Sequence, residues 1–308
     1  MPNDANIVIN LNKPPDITSQ EAVSRVKRLL GAKKAGHAGT LDPLATGVLL
    51  ICMNEATKIS RFLTDMDKEY RVRVKLGERT DTCDSQGKVI ATEDVPQLGR
   101  AEIERCVSMF RGVIMQKPPM YSAIKIGGKA LHRLARKGIE IERPERRIEV
   151  YDIRVLEVEL PYFGLLVSCS KGTYIRTLCD DVGKSLGPGA HVVALRRTKI
   201  GFFALDHAVT IEGLGGESPA IIPDSRSFYS IDQSLSRMPE IILDESDYGL
   251  IKNGVPVRMK KDCGFRDETY LKLKDPLGNL FGIGRINDGF IRVERLLHLG
   301  PFFNQDVI

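Results

Sequence analysis

Twelve residues, Gly36-His37-Ala38-Gly39-Thr40-Leu41-Asp42-Pro43-Leu44-Ala45-Thr46-Gly47, lead directly into the apolar run Val48-Leu49-Leu50-Ile51-Cys52. Nothing in that run is polar and it is too short for a core helix, so it predicts a short strand buried on both faces. The preceding stretch holds three glycines and a proline, which predicts loop. Pro43 disfavours the helical region for Asp42 and pushes it towards an extended backbone. Two readings follow: a carboxylate held rigid at the mouth of a buried strand, suited to nucleophilic attack, or an ordinary Asp-Pro turn.

A length of 308 residues suits two domains, or one large domain with an appendage, and 42% hydrophobic residues suffice for a core. The six cysteines are scattered with no C-x-x-C pair, which speaks against zinc or a disulfide framework and for a reducing compartment. No basic-then-apolar leader opens the chain and no apolar run reaches membrane-spanning length, so a cytoplasmic protein without membrane contact is expected. The net charge of +5 is mild. Residues 125–147 hold eight Lys or Arg against three acids, so this segment carries the whole excess. It reads either as the footprint of a phosphate backbone or as a solvated charged helix.

Along the chain, Ile7 to Leu11 predicts a strand, broken at Lys13-Pro14-Pro15, and Thr18-Ser19-Gln20-Glu21 reads as a capping box. The helix that follows places Ala22, Val23, Val26, Leu29 and Leu30 on one face and stops at Gly31. Residues 69–76 alternate strictly, with Tyr70, Val72, Val74 and Leu76 on one face and basic residues on the other. Tyr70 by itself reads as a core aromatic. Asp81 and Asp84 lack the further oxygen ligands of a calcium loop. A helix over 101–110 precedes the basic segment, in which 130–137 predicts a short basic helix capped by Gly138. Leu165 to Ser170 reads as another buried strand, turning into a helix over 174–186. Arg176 near its start opposes the helix dipole, which suggests a partner anion. Residues 213–236 read as a linker, and strands over 270–274, 280–286 and 290–293 as a small β meander.

The Gly36–Leu49 stretch resembles the catalytic motif of the TruB family of tRNA pseudouridine synthases, G-H-x-G-x-L-D-P-x-A-x-G-x-L, at every fixed position. Other stretches are similar to the family's further motifs: Lys13 to Ser19 (with Asp16 where a glycine is usual), the Gly77 to Gly87 loop, Ser170 to Arg176, and His191 to Gly201. Asp tolerates a left-handed backbone, so the first of these turns is expected to survive. The resemblance implies an α+β fold: a mixed, mostly antiparallel sheet with flanking helices, an inserted basic thumb and a small C-terminal β-barrel-like (PUA-like) module. The implied boundaries are 1–232 for the catalytic domain, with the insertion at about 117–147, and 233–308 for the RNA-binding module.

It further implies isomerisation of uridine 55 in the tRNA T-loop to pseudouridine, with Asp42 as catalytic aspartate. By the same resemblance Arg176 pairs with Asp42, Tyr70 stacks on the target base, Tyr174 packs against the flipped nucleotide and Leu195 contacts the uracil. His37 fills the gap the base leaves, and Lys129, Arg133 and Arg136 belong to a thumb that grips the T-arm. Asp81 and Asp84 serve architecture or RNA contact and stand outside the catalytic set, and Lys13 has no chemical role. The reaction is redox-neutral and needs no cofactor or metal; Asp42 attacks either the ribose carbon or the uracil ring. The expected partner is tRNA alone, with no protein subunit required, and a monomer is the simplest state. The rivals are the catalytic subunit of a guide-RNA particle, a tRNA-folding module with dispensable catalysis, and a phosphoryl-transfer enzyme, which would need magnesium ligands.

Overall fold

A computed structural model describes residues 4–122, 125–126, 129–135, 138–215, 225–259 and 264–299. Its frame is one large sheet built from β1 (Ile7–Lys13), β2 (Ala35–Ala38), β3 (Thr46–Met53), β4 (Lys68–Leu76), β5 (Gly112–Gln116), β6 (Arg146–Glu159), β7 (Tyr162–Cys169), β8 (Ala190–Ile200) and β9 (Phe228–Ser230). The spatial order is β9-β1-β3-β8-β4-β7-β6-β5, with β2 on β3 and the short strand Phe203–Ala204 on β8. Every pairing is antiparallel except β3 with β8. The fold is therefore α+β with a mostly antiparallel sheet, as the sequence implies.

The apolar run forms β3, and its two faces enter different cores. Leu49, Ile51 and Met53 pack into the larger cluster, while Val48, Leu50 and Cys52 face a second that includes Ile283 and Leu297 of the C-terminal part. The alternation over 69–76 becomes β4, with Tyr70, Val72, Val74 and Leu76 buried. Helix α1 (Ser19–Leu29) starts where Thr18 Oγ1 accepts from Glu21 N at 3.0 Å. The reciprocal half of the capping box gives way, because the Glu21 carboxylate pairs with Arg25 at 2.6 Å. Leu29, assigned to the inward face, is exposed at the end of the helix. Asp16 adopts φ 61°, so the left-handed turn survives without the usual glycine. Helices α2 (Arg100–Ser108) and α3 (Ile175–Leu186) turn Ile103, Val107, Leu178 and Val182 into the larger core.

Two sequence expectations are corrected. Residues 35–38, read as loop, pair with β3 as β2, since a short strand can complete an edge that another strand leaves open. The described end of the supposed linker, Phe228–Ser230, joins β1 as the edge strand β9, and Ser230 caps a short helix over Ile231–Ser234. Beyond it a separate five-stranded sheet holds the expected meander, Tyr270–Lys274, Leu280–Asn287 and Phe290–Leu296. Glu240–Ile242 flanks the meander in parallel and Val257–Arg258 in antiparallel. In the basic segment the short helix spans Leu131–Ala135, inside the sequence-predicted range. Arg136 lies outside the described residues. Among the described residues no helix is long and apolar enough to cross a membrane.

Gly47 fixes the junction of β3 with β8. It has φ +99°, and a Cβ there would stand 2.2 Å from the Arg197 carbonyl oxygen. Backbone on both sides leaves nothing to yield, so Gly47→Ala should cost about 3 kcal/mol of stability. A urea titration measures this as a drop in midpoint at unchanged slope.

Candidate active site

β3 has β1 along one edge over most of its length. Its other edge is shared: Thr46 and Gly47 pair with β8, while Leu50 to Met53 pair with β2. The loop carrying Asp42 fills the opening where β2 and β8 part. Ser19 Oγ donates to Leu41 O at 2.9 Å and accepts from Leu41 N at 2.8 Å. Pro43 O accepts from Asp16 N at 2.9 Å and from Lys13 Nζ at 3.1 Å. Arg197 donates to Gly39 O at 2.8 Å, Thr40 O at 3.4 Å and Val48 O at 2.8 Å. The loop is thus tied at both ends and in the middle, which favours the rigid carboxylate over a free surface turn.

Arg176, in the first turn of α3, meets this loop from the opposite side. Nη2 donates to Asp42 Oδ1 at 3.1 Å and Nε lies 2.8 Å from Oδ2, so the ion pair engages both carboxylate oxygens. Nη1 donates to Thr82 O and Nη2 to Tyr121 O, both at 2.7 Å, and Nη1 forms an ion pair with Asp84 Oδ2 at 3.2 Å. The anion expected from the helix-dipole argument is therefore two carboxylates. Asp84 also accepts from Thr82 Oγ1 at 2.7 Å and from Gln86 N at 3.1 Å.

The Asp42 side chain is 34% exposed and faces a cavity of about 530 Å³. Burial is the largest influence on its carboxyl and pushes it above the ordinary value of 3.8; Asp84 pushes the same way, while Arg176 and Arg197 oppose. Enclosure therefore works against the charged form here and does not simply reinforce the Arg176 pair. Lys13 is fully buried on backbone oxygens of Pro14, Ile17 and Pro43, which makes it a brace for the turn, and burial draws its ammonium down to about 8.

Tyr70, Tyr174 and Leu195 all line the cavity beside Asp42 and Arg176. Tyr174 is the residue before α3, and both its backbone groups are held by the Gln116 amide: N donates to Oε1 at 2.8 Å and O accepts from Nε2 at 3.0 Å. Arg146, Arg147 and Lys171 add cations to the wall. His37 stands on β2 outside this lining, its Nδ1 buried without a hydrogen-bond partner and its imidazole pushed towards neutrality by burial. Lys129 and Arg133 fall in the short strand and helix of the insertion, with side chains outside the described residues. Sequence reasoning missed three residues. Asp84, assigned to architecture or RNA contact, pairs with Arg176, while Arg197 and Gln116 carry no local signal of their long-range contacts. Among the described residues no cluster of three or more His, Cys, Asp or Glu is placed to hold a metal.

Known proteins similar to this chain point to one family. The TruB family pseudouridylate synthase N-terminal domain matches residues 27–175, and the tRNA pseudouridylate synthase B C-terminal domain matches 176–218. The chain is 48% identical over 258 residues to the tRNA pseudouridine synthase B of Clostridium tetani, covering 83% of this chain and 87% of the relative. It is 43% identical over 302 residues to that of Vibrio atlanticus, covering 95% and 94%. The solved structure of a Cbf5-Nop10-Gar1 complex contains a chain 26% identical that superposes with a TM-score of 0.73 over 96% of this chain and 87% of that one. The matched domains span most of the loop, strand and helix positions described above, and the chain belongs to the TruB family of pseudouridylate synthases.

Proposed function

We propose that the chain isomerises uridine 55 in the T-loop of tRNA to pseudouridine, with Asp42 as the nucleophile on an everted base. The observation that supports this most is the Asp42 carboxylate, gripped at both oxygens by Arg176 and facing a cavity walled by Tyr70, Tyr174 and Leu195. The names of the relatives supply the substrate class.

The reaction breaks the bond from uracil N1 to the ribose and forms one from C5; the C5 proton leaves and N1 gains a proton. Atoms and electrons balance without an oxidant or a donated group, so no cofactor is invoked. Asp42 attacks either the ribose carbon or the uracil ring. Each carboxylate oxygen has two lone pairs, so the pair with Arg176 leaves one per oxygen for the substrate. Everting a base costs a few kcal/mol, and stacking on an aromatic ring returns about 1–3 kcal/mol. Tyr70 and Tyr174, with the apolar contact of Leu195, are thus of the right size to offset eversion. His37 takes up the space the base leaves in the RNA.

The insertion at about 117–147 serves as a thumb on the T-arm through Lys129, Arg133 and Arg136. Residues 1–232 form the catalytic domain and 233–308 a PUA-like RNA-binding module. The enzyme acts as a monomer in the cytoplasm, on tRNA alone and without a protein subunit. Conversion of a bare T-arm hairpin, scored with a pseudouridine-specific label, tests this directly; a requirement for added subunits or guide RNA would favour the guide-particle alternative.

Asp42→Asn should abolish turnover and leave tRNA affinity within a few-fold, read by single-turnover conversion and filter binding. Because burial raises the Asp42 carboxyl, its anionic form is lost at higher pH than for an ordinary aspartate as acid is added. The acid limb of kcat/KM, which reports the free enzyme, should accordingly have its midpoint above 3.8. Neutralising Lys129, Arg133 and Arg136 should weaken binding and make the slope of log affinity against log salt shallower, by about one for each phosphate no longer neutralised. Unchanged binding across salt would remove the thumb.

A further inference from the structure

Arg197 is 1% exposed, and among the described residues every acceptor it reaches is neutral: the Gly39, Thr40 and Val48 carbonyls and the Tyr70 phenol. Burying an ion costs several kcal/mol, so a cation resting on neutral groups is an expensive way to satisfy three carbonyls. Its location accounts for the carbonyls. Val48 O lies on β3 between the stretch paired with β8 and the stretch paired with β2, and Gly39 O and Thr40 O lie just after β2 ends. The rigid fork bridges all three across the opening.

Its charge has a separate use. Around Arg176 two carboxylates, Asp42 and Asp84, share one guanidinium, which leaves one negative charge in excess. That excess is relieved either by protonating Asp42 or by a second cation. We infer that Arg197 is a positioning residue for the proposed reaction: its fork fixes the loop that carries Asp42, and its charge offsets the second carboxylate so that Asp42 remains an anion.

This rests on the function proposed above. Facing Asp42 are Arg176 from α3, Asp84 from the loop after β4, Lys13 from β1, Tyr70 from β4 and Tyr174, with Arg197 from β8. The neighbouring lysines hold their charge less firmly. Lys13 and Lys68 are drawn down to about 8, mainly by burial, with Arg197 pushing the same way. An arginine does not deprotonate in a protein, so Arg197 keeps its charge at every working pH, whereas that of Lys13 fades as pH rises through about 8.

Two variants test this, Arg197→Met and Arg197→Lys. The Asp42 carboxyl is titrated by carbon-13 NMR in the free protein, its signal assigned by disappearance in Asp42→Asn, and kcat and KM are measured on a T-arm hairpin. Arg197→Met should move the Asp42 midpoint upward and lower kcat roughly 100-fold, with KM within a few-fold, as for loss of a preorganised active-site charge. Arg197→Lys keeps the charge and loses the fork, so the midpoint should stay while kcat falls partway. An unmoved midpoint in Arg197→Met, or wild-type kcat in Arg197→Lys, overturns the inference. If Arg197→Met does not fold, Arg197→Lys decides: an upward midpoint there also overturns it. A wild-type protein whose Asp42 responds as stated but which converts no uridine removes the proposed function and leaves the charge inference standing.

Discussion

A strand that changes neighbours partway along one edge leaves backbone groups with no ladder to join, and buried backbone groups have to be paired. β3 does this between Gly47 and Leu50. The opening is filled by the Asp42 loop, and the unpaired carbonyls are met by side chains from distant parts of the chain: Ser19, Lys13 and Arg197. The same ties that complete the sheet also immobilise the carboxylate. Function here is attached to a backbone that could not otherwise be satisfied.

The second requirement is electrostatic. Asp42 and Asp84 are both placed on one guanidinium, and burial together with the neighbouring Asp84 disfavours the Asp42 anion. A surface ion pair would be worth at most about 1 kcal/mol and would not hold such an arrangement. What holds it is the enclosure of Arg176, with backbone acceptors from two loops, Thr82 and Tyr121, completing its coordination. The Tyr121 contact also roots the basic insertion next to the reacting group, and Gln116 at the end of β5 does the same through Tyr174.

How much of this was legible depended on range. The apolar run over 48–52, the alternation over 69–76, the Thr18 cap and the left-handed Asp16 turn are local features, and each shows in residues a few positions apart. The Asp42 motif and Arg176 were legible by resemblance, and the dipole argument independently marked Arg176 as needing an anion. What stayed hidden joins residues far apart. Asp84 meets Arg176 across the molecule, Arg197 reaches back to Val48, and β9 at 228–230 closes against β1 at 7–9. β2 was misread for the same reason: glycines signal loop unless a partner strand lies alongside, and that partner is set by tertiary pairing.

Arg176 has one further property. Five protein oxygens lie within 3.2 Å of its three nitrogens, so the guanidinium is crowded by the protein's own acceptors. A uracil entering the cavity brings two carbonyls and an imide N–H, and meets a guanidinium whose contacts are taken up by protein oxygens. Telling uracil from cytosine therefore falls to groups on the cavity surface other than the arginine nearest the chemistry.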